Sequence, residues 1–119
     1  MSGRESPHHQ NYLFEDSEAI RIQILLSDLH NVISSSSTLP EKTKLKLLEK
    51  IEEILKHFTT NYKNLDIFWS FIGRAEIAFK VYEKTKVPNT LKELLEIIWN
   101  VQCRTEGRSS ESSPPINLG

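Results

Sequence analysis

The sequence predicts an all-α domain, a compact bundle of four antiparallel helices. Three observations lead to it. Four stretches between residues 16 and 103 repeat apolar residues at helical spacing, none alternates with period two, and the links between them are short. At 119 residues and 38% hydrophobic content the chain can furnish a single core. Its apolar and charged residues are interleaved, which marks the middle of the chain as folded.

Residues 1–15 are polar apart from the triplet Tyr12-Leu13-Phe14 and read as a flexible N-terminal arm. The first helix is expected from Asp16 or Ser17, either of which can cap it, to about Ser34, with Ile22, Leu25, Leu26, Leu29, Val32 and Ile33 on one face. The serines of residues 34–38 end it, because their hydroxyls compete for backbone hydrogen bonds. Thr38-Leu39-Pro40-Glu41 fits a capping box for the second helix, with Thr38 as the cap. Leu47, Leu48, Ile51, Ile54, Leu55 and Phe58 form its stripe, and Glu52 and Lys56 an i,i+4 pair.

The third helix is expected from near Asn64 to about Lys84, ended by Val87-Pro88. At 100° per residue, Phe68, Ile72, Ala75, Phe79 and Tyr82 line up beside Ile67, Phe71, Ala78 and Val81. So broad a face suits a helix touching several neighbours. Asn89 or Thr90 can cap the fourth helix, whose Leu91, Leu94, Leu95, Ile98 and Val101 face the core and which frays around Cys103. Residues 104–119 form a Ser/Pro-rich tail expected to be disordered. Its Ser109, Ser110, Ser112 and Ser113 are candidates for phosphorylation, which would add charge and acceptor oxygens. An alternative architecture is two stacked helical hairpins of HEAT or armadillo type, since the first and third helices start about 47 residues apart. The bundle is preferred, because no residue pattern recurs at that period.

Fifteen basic residues meet 16 acidic ones, so no strong nucleic-acid signal is present. A single cysteine, Cys103, excludes an intramolecular disulfide and suggests an intracellular, cytoplasmic or nuclear location. Asp66, Arg74, Glu76 and Lys80 interrupt the apolar run that opens the third helix, so it is not a membrane segment. Catalysis, cofactor and metal binding are not expected. His8 and His9 lie in the arm, His30 and His57 near helix ends, no second ligand stands at metal spacing, and four scattered glycines make no phosphate loop.

What the core does not absorb points to a non-catalytic interaction module, a small helical adaptor or scaffold whose partner is another protein or a copy of itself. Trp69, Gly73 and Ile77 lie off the main face of the third helix. There Trp69 beside Gly73 would make a notch for a partner's backbone, unless the arm or a neighbouring helix fills it. Ile20 and Ile24 lie opposite the stripe of the first helix and form a second spot, unless Tyr12-Leu13-Phe14 folds over it. The five are the candidate partner-binding residues.

Ile72-Gly73-Arg74 is similar to an Ile-Gly-Lys in the N-terminal domain of transcription elongation factor S-II and its relatives, and Ile98-Trp99-Asn100 is a partial match to that family's closing Lys-Trp-Lys-like end. The resemblance implies a peptide-binding helical domain. Two further alternatives are an N-terminal fragment of a longer α-solenoid scaffold and an accessory subunit of an enzyme or nucleic-acid complex.

Overall fold

The computed structural model describes residues 11–83, 87–109 and 113–116. Four helices, α1 (Asp16–Ser34), α2 (Glu41–Lys56), α3 (Asp66–Ala78) and α4 (Asn89–Glu106), form a bundle, and two short strands, β1 (Tyr12–Leu13) and β2 (Asn61–Tyr62), lie at one end. A π-helical turn, Phe79–Glu83, prolongs α3. Among the described residues the packed helix pairs are α1–α2, α2–α3, α3–α4 and α4–α1. That is a closed ring; stacked hairpins would instead set α1 on α3 and α2 on α4.

Three ties give the helices their directions. β1 pairs antiparallel with β2, Tyr12 opposite Tyr62 and Leu13 opposite Asn61, which sets the start of α1 beside the end of α2. At the far end Ser36 and Thr38, in the α1–α2 link, both donate to the carboxylate of Glu83, where the extension of α3 ends. The end of α4 returns to the strands: the Tyr12 hydroxyl donates to Glu106 at 2.8 Å and Arg104 donates to the Leu13 carbonyl at 2.8 Å. The course is up, down, up, down, the antiparallel bundle predicted from the helical periods.

The predicted stripes supply the core. Ile22, Leu25, Leu26, Leu29 and Ile33 of α1, Leu47, Ile51 and Ile54 of α2, and Leu91, Leu94, Leu95, Ile98 and Val101 of α4 are all buried. Val32, expected with them, is 40% exposed at the edge of its face. The caps differ from expectation. Glu15 precedes α1 and its N–H donates to Glu18 Oε1 at 2.8 Å, a capping box one residue earlier than Asp16. Pro40 and Pro88 occupy the cap positions of α2 and α4, where their extended backbone (φ −58° and −59°) leads into the first turn and their carbonyls accept from Lys44 at 2.9 Å and Leu91 at 3.0 Å. Thr38, expected to cap α2, has its hydroxyl on Glu83 instead. Glu52 pairs across the bundle with His30 at 3.0 Å rather than along its own helix with Lys56.

Two expected tails enter the structure. Residues 1–10 of the arm lie outside the described residues, but Tyr12 and Leu13 form β1 and Phe14 is 5% exposed. The Phe14 ring lies 6.0 Å from Phe58, 5.6 Å from Tyr62 and 5.7 Å from Phe68, and Tyr62 lies 5.1 Å from Phe68. The edge-to-face pairs add to the burial of large apolar area. At the other end α4 runs past Cys103 to Glu106, and Gly107 terminates it in the left-handed region at φ 73°, which a residue without Cβ adopts freely. Lys84 lies outside the described residues, as do Ser110 and Ser112 of the tail.

Phe14→Ala should cost about 3 kcal/mol of unfolding free energy, measured by urea denaturation, because three other rings lose their common neighbour. The start of α1 is also sensitive to acid. The Arg104 guanidinium, 2.9 Å from Glu18, holds that carboxyl below its ordinary value of 4.5 against an opposing effect of burial, with help from the Glu15 N–H. A depressed folded value contributes stability above the unfolded value and loses it as pH falls through the folded one. Arg104→Met should therefore lower Tm above pH 4.5 and narrow its difference from wild type below it, read by calorimetry across that range.

Candidate functional site

The π turn determines what the second half of the third helical segment presents. Its i→i+5 hydrogen bonds advance each residue by less than the 100° of an α-helix, so side chains beyond Phe79 fall behind the stripe. Phe79 remains buried, but Val81 and Tyr82, predicted to face the core, are 52% and 41% exposed. Ile77, already off the main face, is 62% exposed beside them. The end of the turn is held by Glu83, whose carboxyl the hydroxyls of Ser36 and Thr38 keep below the usual carboxylate range.

Ile77 and Tyr82 border a groove of about 320 Å³ between α2 and α3. Leu47 and Ala78, both buried, form its floor, and Ile77 and Tyr82 stand along the α3 side. Lys46 of α2 and Arg74 of α3 line it as well. Among the described residues neither cation is within pairing distance of a carboxylate, whereas Lys50 is paired with Glu53 at 3.7 Å and Lys80 with Glu76 at 2.9 Å. The groove thus combines an apolar floor with two positive charges that no carboxylate of the described residues pairs.

The other candidate residues separate into two places. Ile20 and Ile24, 61% and 44% exposed, border a shallow hollow of about 310 Å³ with Gln23, Ser27 and Asp28. The N-terminal triplet does not cover them, because Phe14 is committed to the aromatic cluster and Tyr12 and Leu13 to β2. Trp69 and Gly73 are brought together as predicted, but the notch is occupied. Trp69 is half-buried, edge-on to Trp99 at 6.2 Å, and its Nε1 donates to Gln102 at 2.7 Å. Over Gly73 lies Ile116, whose Cδ1 would be 3.4 Å from a Cβ built there.

The chain returns by way of Gly107. Arg108 then sits over the Trp99 ring, 5.8 Å from its centroid, and its Nη2 lies 2.9 Å from Glu106 Oε1, a pairing by proximity with no aligned hydrogen bond to that oxygen. The notch is filled not by the arm but from two sides, by Trp99 and Gln102 of the neighbouring α4 against Trp69 and by Ile116 of the C-terminal segment over Gly73. The signal for that segment was a lone isoleucine after Pro114-Pro115, in a stretch with no other period to place it. Val81 and Tyr82 carried no such signal, since nothing in the residue pattern marks the π turn.

Cys103 is buried, and burial raises its thiol, the opposite of the poised thiolate a nucleophile needs. Among the described residues no three His, Cys, Asp or Glu side chains are grouped to hold a metal ion, and no helix is long and apolar enough to cross a membrane. Protein-family models, curated proteins and solved structures all give no match to this chain. Of the residues resembling the S-II family, Ile72 and Trp99 are buried in the core and Arg74 lines the α2–α3 groove.

Two substitutions at Gly73 should part in their effects. Gly73→Ala adds a Cβ at ordinary contact distance from Ile116 and should stabilise α3 by about 0.5 kcal/mol, seen as a higher urea midpoint. Gly73→Leu has no room under Ile116 and should eject it, so that nuclear Overhauser contacts from the Ile116 methyl to α3 vanish in the leucine variant and persist in the alanine one.

Proposed function

We propose that this chain is a non-catalytic docking module for another protein, and that the α2–α3 groove is its docking surface. The observation that carries the reading is the pair of exposed apolar side chains Ile77 and Tyr82 beside a concave apolar floor. The core does not need them, and contiguous apolar surface of that kind marks interaction sites on monomeric domains. Ile77, of the residues singled out from sequence, is the anchor this favours. Trp69 and Gly73 support it from behind, by holding α3 to α4 and to the C-terminal segment.

Ile77→Asp places a charge on the groove without touching the core. Its Tm should stay near that of wild type, as exposed substitutions usually change stability by less than about 0.5 kcal/mol. Purified wild-type and Ile77→Asp baits, with Ile20→Asp as a control on the opposite spot, should differ in the cellular proteins they capture. The proteins lost with Ile77→Asp should be retained by the control. Identical captures by all three baits would sink the reading.

A further inference from the structure

The groove has features that specify its occupant. Its walls are helices, whose backbone hydrogen bonds are internal, so it offers no free N–H or C=O row to an extended strand. A segment that satisfies its own backbone, a helix, fits such a wall, and the valley between two packed helices accepts the side-chain ridge of a third. The floor of Leu47 and Ala78 and the projecting Ile77 and Tyr82 call for apolar anchors on one face of that helix. The cations stand one on each wall: Lys46 on α2 and Arg74 on α3. Covering both with an apolar partner would strip them of water with nothing in return, and carboxylates on the partner's flanks would offset that cost.

Resting on the reading of the groove as a docking surface, we infer that its partner is an acidic amphipathic helix. Aliphatic or aromatic side chains at helical spacing seat over Ala78 between Ile77 and Tyr82. Asp or Glu residues on either flank meet Lys46 and Arg74. Lys50 and Lys80, farther along the same two helical segments, already have carboxylates of their own.

The test is a phage-displayed library of random peptides long enough for about four helical turns, selected on the full wild-type chain with Ile77→Asp as counter-selection. The selected sequences should be net acidic, with apolar residues at three- and four-residue spacing. A synthetic consensus peptide should gain helicity on binding by circular dichroism. Its affinity by fluorescence anisotropy should fall about tenfold in Lys46→Glu/Arg74→Glu and weaken with added salt. Neutral or basic peptides that still discriminate wild type from Ile77→Asp would overturn the acidic helix and leave the docking surface standing, as would equal binding by the charge-reversed variant. Absence of any peptide that discriminates the two would overturn the inference, and identical cellular captures by the wild-type and Ile77→Asp baits would then remove the docking reading as well.

Discussion

The burial of Phe14 among Phe58, Tyr62 and Phe68 is the constraint around which one end of the bundle is organised. It joins the segment before α1 to the α2–α3 connection, and the β1–β2 pairing is the backbone counterpart of the same junction. Because Tyr12 and Leu13 are held there, they can reach Glu106 and Arg104 at the end of α4, and Phe68 brings in α3, so all four helices are tied together at this end. The cluster also decides what is left uncovered. A triplet spent on closing the bundle cannot shield Ile20 and Ile24, and the outer face of α1 stays open as a consequence of how the end is sealed.

The helices were legible because burying one face of a regular helix requires a regular period, and that requirement leaves its mark on α1, α2 and α4 residue by residue. What escaped the reading involves departures from regularity or partners distant in sequence. Thr38 followed by Glu41 has the form of a capping box, yet Glu83, far along the chain, offers its hydroxyl a carboxylate, and Pro40, with φ already fixed, can lead into α2 without it. Val81 and Tyr82 belong to the stripe only if every residue advances by 100°, and the π turn breaks that assumption after Phe79. Ile116 is a single apolar residue outside any period, so only the folded chain reveals that it meets the one glycine of α3. The candidate site was legible to the same degree. The off-face position of Ile77 follows from the wheel, whereas the cationic walls and Tyr82 depend on how α2 and the π turn are set.

The physics ranks the Trp69–Gly73 notch, the Ile20–Ile24 spot and the α2–α3 groove. The Trp69–Gly73 notch has the best shape for a close backbone approach, but Ile116 already supplies the apolar contact, and a partner would have to displace it. The Ile20–Ile24 spot is open, but the hollow it borders is shallow, its charged lining residue is Asp28, and the neighbouring Arg21 is matched by Glu93 at 2.6 Å, so it presents no unpaired cation to an incoming chain. The α2–α3 groove alone joins concavity and exposed side chains to positive charge that the described residues leave unpaired. The π turn ties these properties together: the turn that carries Tyr82 out of the core stripe and beside Ile77 also ends at Glu83, against the α1–α2 link. A change that restored α-helical geometry there would draw Tyr82 inward and shift Glu83 together, and so couple the shape of the groove to the closure of the far end of the bundle.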